Sequence, residues 1–261
     1  MRRTLLAVLA LCCFATTAHA ARGMNLRWDA CFGGGGPSNR SFACDTNTGS
    51  EYLYVSFLSD TLAENITGIE GKIDFVPATG TLPSWWQLKN TGACRPNTLT
   101  MSVAPGSESA GCSNTWGPDF ATGFSYYNLS MDGAMRLEFV SAVPTFEAMS
   151  FAPNQEWFAA RFAISHAKTV GAGNCAGCQT PLCIGLHVLR LSRPYPEPLV
   201  QLSTETVPGG STVSWQGGAV DSYIPPPPLG HNDPWPYRTV TCSLPVPARN
   251  HTWGSIKSLY H

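Results

Sequence analysis

Three cysteines and a histidine, Cys175, Cys178, Cys183 and His187, lie within thirteen residues and run straight into the apolar stretch Ile184 to Leu191. Thiolates and an imidazole at short spacing can hold zinc. The Cys-Ala-Gly-Cys pair could also exchange disulfides, provided its first thiol sat at a helix N-terminus that lowers its pKa. The residues that follow, Gln179-Thr-Pro-Leu-Cys183 and then a β-like run, offer no such helix. A third chemistry, plain disulfide bonding, depends on where the chain is oxidised.

The first twenty residues bear on that question. Arg2 and Arg3 precede an apolar run from Leu5 to Phe14, and small residues end in Ala18-His-Ala20. This is the pattern of a secretory signal cleaved near Ala20, and the run is too short to span a bilayer, which takes ~20 apolar residues. The expected mature chain is secreted or extracytoplasmic, in the periplasm or at the cell surface, with no transmembrane segment. Losing the leader removes two of the ten cysteines and leaves eight. An even set in an exported chain reads as a disulfide framework, and exported thiols meet oxidants before scarce free zinc. Proximity along the chain pairs Cys31 with Cys44 and Cys94 with Cys112; Cys175 with Cys183 and Cys178 with Cys242 would complete the set. No metal or other cofactor is expected.

Other chemistry finds little support. The formal charge of −1 becomes −3 without the two leader arginines, and the remaining basic residues are scattered, which argues against a nucleic-acid partner. No Gly-x-Ser-x-Gly elbow is present, and the five mature histidines, His166, His187, His231, His251 and His261, sit in no motif. Two of the seventeen acids could converge as a glycosidase pair, but nothing selects which; no catalytic residue is assigned. Asp45-Thr-Asn47-Thr-Gly49 has glycine where a calcium loop needs a ligand, and reads as a turn. The triplets at Asn39, Asn65, Asn128 and Asn250 fit the N-glycosylation pattern but read as chance matches under a leader of bacterial appearance. Trp85, Trp86, Trp116, Tyr126 and Tyr127 fall in glycine-containing, loop-like regions and are candidates for stacking on sugar rings.

The elements that must position these groups are strands. Charged residues make up 13% of the chain, about half the usual share, as in many extracellular β proteins. Ile69, Ile73 and Phe75 alternate with Glu70, Lys72 and Asp74, and Met135, Leu137 and Phe139 alternate with Arg136 and Glu138. Period two with one charged face is a half-buried strand. Met24 to Asp29, Tyr52 to Leu58, Leu99 to Val103, Glu156 to His166 and Ile184 to Leu191 read as further strands, with Phe158, Ala160, Phe162 and Ile164 on one face of the fourth. Leu199 to Thr204 and Ser211 to Trp215, separated by Pro208-Gly-Gly210, suggest a hairpin. Pro83 opens one helical turn that carries Trp85 and Trp86. From about Gln216 the chain turns proline-rich, through Pro225-Pro-Pro-Pro228 and Pro234-Trp-Pro236, as expected of an extended strap.

Tyr52-Leu-Tyr-Val-Ser-Phe57, Gly68-Ile-Glu-Gly-Lys-Ile-Asp-Phe75 and Trp157-Phe-Ala-Ala-Arg-Phe-Ala-Ile164 together resemble the strand rhythm of bacterial cohesin-like and carbohydrate-binding β-sandwiches, over about half the mature chain. The cysteine cluster and the Thr252-to-Tyr260 ending depart from cohesins and look more like other secreted bacterial proteins, so no cohesin binding residue is carried over. The expected architecture is all-β: a jelly-roll-like antiparallel β-sandwich over residues 21–216, after a signal peptide at 1–20, with a proline-rich C-terminal strap at 217–261 packed on it. The expected role is an exported non-catalytic binding or surface-structural module whose partner is a polysaccharide or another extracellular protein; a secreted glycosidase-like hydrolase is the alternative.

Overall fold

The computed structural model describes residues 23–89, 92–129, 133–202, 209–224 and 240–244; the expected signal peptide at 1–20 and most of the proline-rich stretch lie outside them. The fold is an all-β sandwich. Its smaller sheet has the order β1 (Gly23–Trp28), β3 (Ser50–Leu58), β10 (Glu156–Ser165), β6 (Leu99–Ser102). Its larger sheet runs β2 (Asn39–Arg40), β13 (Thr212–Trp215), β11 (Leu182–Ser192), β5 (Gly68–Pro77), β8 (Ala134–Ala142), β7 (Ala121–Leu129), with β12 (Val200–Leu202) also on β11. A short ribbon of β4 (Ala63–Ile66) and β9 (Met149–Phe151) and a hairpin of β14 (Ala219–Tyr223) and β15 (Val240–Ser243) complete it.

Alternation explains most of these strands. Ile69, Ile73 and Phe75 of β5 and Leu137 and Phe139 of β8 are buried between the sheets. There Phe139 meets Phe162 of β10 at 5.3 Å between ring centres. Gly71 is required on this face, since a Cβ there would come within 2.5 Å of the Phe139 ring. Two expectations change. A bulge at Ala159 shifts the register of β10, so Trp157 is placed opposite Phe57 and Phe158 opposite Ser56. Trp157 therefore packs on Phe151 in the core and Phe158 lies beside Tyr54 on the other face, because one extra residue inverts a period of two. The second is the expected hairpin around Pro208. β12 and β13 pair successively with the same edge of β11, as two halves of one interrupted strand along a neighbour of eleven residues.

The two ends of the sandwich differ. At one end three disulfides, Cys44–Cys178, Cys94–Cys175 and Cys183–Cys242, join segments far apart in sequence; Cys31–Cys112 ties the glycine loop over the smaller sheet. All eight cysteines among the described residues are thus bonded, but none in the pairs that proximity suggested. Sheets bring distant segments side by side, and that spatial order sets the pairing. Four disulfides fit an oxidising, extracellular type of compartment, and among the described residues no helix is long and apolar enough to cross a membrane.

Inside the stapled end, the 3-10 turn Ser84–Trp86 delivers both tryptophans to the core. Trp85 stacks on Trp215 at 5.4 Å, and Trp86 meets Trp215 edge-on at 5.3 Å. Fully buried Arg95 lies over Trp85, 3.6 Å from the ring centre. It donates to the carbonyls of Trp85 (2.6 Å), Ala167 (2.9 Å) and Ser165, and burial pulls its pKa down to about 10. Arg95→Ala would leave these carbonyls without that donor and remove a cation over an indole. Since each unsatisfied buried group costs ~1–3 kcal/mol, the expected loss of stability is about 3 kcal/mol or more, measured as a shift of the urea midpoint with the disulfides intact.

Candidate binding groove on the outer sheet face

The charges that alternate with the core residues of β5 and β8 all point to the outer face of the larger sheet, and register lines them up in rows. Arg190, Glu70, Val140 and Gly123 form one row across β11, β5, β8 and β7; Val188, Lys72, Glu138 and Ser125 form the next; Asp74, Arg136 and Tyr127 follow. Opposite charges meet across strands. Arg190 reaches Glu70 at 3.2 Å, Lys72 reaches Glu138 at 2.9 Å, and Arg136 grips Asp74 through two bonds of 2.7 and 2.9 Å.

The first two rows are open and the third is not. A groove of about 400 Å3 runs over Glu70, Lys72, Glu138, Val140, Gly123, Ser125 and Arg190. Val140 is half exposed at its centre. Asp74 and Arg136 are completely buried. The β14–β15 hairpin lies beyond them, where Val240 packs with Val76, Leu129, Ala134 and Cys183, and Cys183–Cys242 bonds it to β11. In β7, Gly123 has open space where a side chain would project, with nothing within 4 Å. The fold does not need glycine there, in contrast to Gly71. Its effect is to keep the groove open.

Electrostatics leave the groove balanced. Burial would raise the Glu138 carboxyl, but hydrogen bonds from Lys72 and Tyr127 and the nearby Lys72 and Arg136 charges outweigh it and hold the pKa below the usual range. Burial, with the Glu138 hydrogen bond and charge behind it, pushes Tyr127 up to about 12. Two carboxyls with a raised pKa, Glu147, raised by burial and by neighbouring Asp119, and Asp29, raised by burial with Glu51 adding to it against the pull of Arg40, are both outside the groove.

The residues singled out for chemistry are placed elsewhere. Cys175, Cys178 and Cys183 bond to three different partners, which consumes the thiolates that a zinc or redox site would use. Trp85, Trp86, Trp116 and Tyr126 are all at least nine-tenths buried, and Tyr126 donates its hydroxyl to the Trp86 carbonyl at 2.9 Å. Their faces are closed to a sugar ring. Tyr127, half-buried, is the one of the five beside the charged rows. The turn at Asp45 to Gly49 turns its Asn47 carboxamide oxygen to the Thr169 and Val170 amides, a structural use. Among the described residues no three His, Cys, Asp or Glu side chains gather to hold a metal.

No protein-family model, characterised protein or solved structure matches the chain. The groove therefore stands on its own geometry. Its signal in the sequence was the charged face of β5 and β8, readable as a wet face but silent on which half is covered.

One group of this face makes the fold acid-sensitive. His187 sits at the β11 bulge between Leu186 and Val188, almost fully buried. Burial lowers its pKa to about 4, against the pull of Asp74 and with Arg136, Lys72 and Arg190 adding to the fall. Above pH 6.5 the ring is neutral whether the chain is folded or not. Between 6.5 and about 4 only the unfolded chain takes up the proton, so stability falls with acid. The span corresponds to about 3 kcal/mol. His187→Asn is expected to flatten the wild-type decline of unfolding free energy over that interval, measured by urea titration at successive pH values.

Proposed function

We propose that this chain is an exported, non-catalytic binding module that holds a neutral, hydroxyl-rich glycan in the groove on the outer face of its larger sheet. The observation that carries the reading is the open pair of charged rows with Gly123 at their edge. Glu70 with Arg190 and Lys72 with Glu138 cancel in charge, so the face favours neither a polyanion nor a polycation. Each group still has donors or acceptors to spare: an ammonium has three N–H groups, a guanidinium five, and a carboxylate about four lone-pair sites. Arg190 uses its Nε on Gln201 and one terminal nitrogen on Glu70. Donors and acceptors then alternate at the ~4.8 Å spacing of strands, a layout that suits hydroxyls, which do both. A peptide laid on this face would find Val140 as its one well-exposed apolar contact, too little for the buried anchor that protein interfaces use.

The absence of catalysis in this reading rests on protonation. Glycoside hydrolysis needs a carboxylic acid kept protonated near its working pH beside a second carboxylate. Glu138 is driven the other way. The leader-like start and the four disulfides support export.

The test is retention on an array of neutral and charged polysaccharides. Wild type is expected to bind neutral chains without releasing sugar. Gly123→Trp fills the groove from a position with room for a side chain, and is expected to abolish retention with an unchanged melting temperature. Arg190→Ala removes charge-assisted hydrogen bonds worth ~1.5–3 kcal/mol and should weaken binding about tenfold or more. Retention unaffected by Gly123→Trp, or sugar release by wild type, would contradict the reading.

A further inference from the structure

Arginines at three described positions are at least nine-tenths buried, and they differ in how their nitrogens are used. Arg136 grips the Asp74 carboxylate. Arg95 has no acid but donates through all three of its nitrogens to carbonyls. Arg27, on β1, donates through Nη1 alone, to the carbonyls of Gly209 (2.7 Å), Leu26 (2.8 Å), Gly210 (3.2 Å) and Thr212 (3.3 Å). Among the described residues its Nε and Nη2 meet no acceptor, and no acid pairs with it. The Phe32 ring covers one face of the guanidinium, 4.7 Å away. Burial lowers the Arg27 pKa while the Glu156 charge pulls the other way, but the Glu156 oxygens already accept from Asn25, Ser56 and the amides of Phe32 and Gly33. A buried charge with two of its three nitrogens unused is short of the compensation that such burial demands.

Those nitrogens are not sealed in. Arg27 lines a pocket of about 290 Å3 with Ser38, Thr212, Ser214, Gly209 and Gly218, in which no acid takes part and Arg27 is the one cation. Thr212 is 5% exposed, and its hydroxyl has no partner among the described residues. Neither that hydroxyl nor the unused guanidinium edge belongs to the buried atoms closed off without a hydrogen bond, so both open on the pocket. The walls are fixed by contacts that do not use these groups: Ser214 donates its amide to the Ser38 carbonyl at 2.7 Å and its hydroxyl to Asn39 at 2.9 Å, and the Trp28 indole donates to the Ser214 carbonyl at 2.9 Å. The pocket shares no residue with the groove on the larger sheet.

We propose that this pocket is a second binding site, independent of the groove, which takes the carboxylate of a small hydroxylated acid of the sugar-acid class on the free Nε and Nη2 edge of Arg27, with the Thr212 hydroxyl beside it. With Nη1 held by carbonyls, the remaining edge offers two parallel N–H groups, the fork that matches the two oxygens of a carboxylate. A single cation balances a single negative charge, whereas a phosphate dianion would bring a second with nothing to meet it. The volume is at the small end of ligand pockets, enough for one compact molecule, and the hydroxyls of Ser38 and Thr212 suit a ligand that carries hydroxyls of its own.

Titration of the 15N-labelled protein with galacturonate, glucuronate, their methyl esters and inorganic phosphate tests this. At least one of the two uronates should give saturable shifts of the Arg27 Nε–H resonance and of the Gly209, Thr212, Ser214 and Gly218 amides, while its methyl ester, equal in hydroxyls but uncharged, and phosphate leave them unmoved. Arg27→Lys keeps a cation for the carbonyls and removes the fork, and should weaken the uronate at least tenfold. Should that variant not fold, Thr212→Val, which keeps the shape and the backbone carbonyl, is expected to weaken it about tenfold, and the wild-type Nε–H shift still reads the contact directly. Ester and acid that bind alike, phosphate that binds in place of both uronates, shifts that leave the Arg27 Nε–H unmoved, or no shift with either uronate overturns the site.

Discussion

The Arg95 guanidinium, closed in by the Trp85 ring and by carbonyls of the turn and of the loop after β10, is the contact on which the stapled end depends. A charge buried this completely persists only where its donors are used, so it fixes at once the turn that carries Trp85 and Trp86, the end of β10 and the loop that leads to Cys175. The tryptophans then stack on Trp215 of the facing sheet. Disulfides at Cys44, Cys94 and Cys175 close over an end already organised by polar contacts, and their contribution is to limit the unfolded chain.

Buried charge recurs as the means by which this low-charge sequence orders its loops. Glu156 accepts from Asn25, Ser56 and the amides of Phe32 and Gly33, and so converts a run of four glycines into a defined cover on the smaller sheet. Glu51 joins Arg40 to His166, and Phe42 stacks on that imidazole at 3.9 Å. With so many charges committed inside, the outer face of the larger sheet holds a concentrated open set. That contrast, charges spent on structure at one end and left facing solvent over the groove, is the physical basis of the functional reading.

Where burial pattern was local, the sequence was legible. The alternation at Ile69 to Phe75 and Met135 to Phe139 fixed both the strands and the charged face, and the groove is made of those residues. Legibility failed where a contact from far along the chain decides the outcome. Proximity cannot pair Cys31 with Cys112 across 81 residues. A bulge such as that at Ala159 leaves no mark in a run of apolar residues. Trp85, Trp86 and Tyr126 sit among glycines and prolines as exposed aromatics would, but their partners Trp215 and Phe75 belong to other strands. β7 escaped notice for the same reason: Phe124, Tyr126 and their small neighbours gain their meaning only beside β8.

The central claim is that the open rows of the outer face receive a neutral glycan. Titration of 15N-labelled protein with cellohexaose, xylohexaose and maltohexaose in turn, followed by amide chemical shifts, tests it directly. The account predicts saturable shifts confined to Glu70, Lys72, Gly123, Ser125, Glu138, Val140 and Arg190 for at least one of the three, with the Arg95 end silent. Shifts that gather at the disulfide end or on the smaller sheet, with the groove amides unmoved, would contradict it.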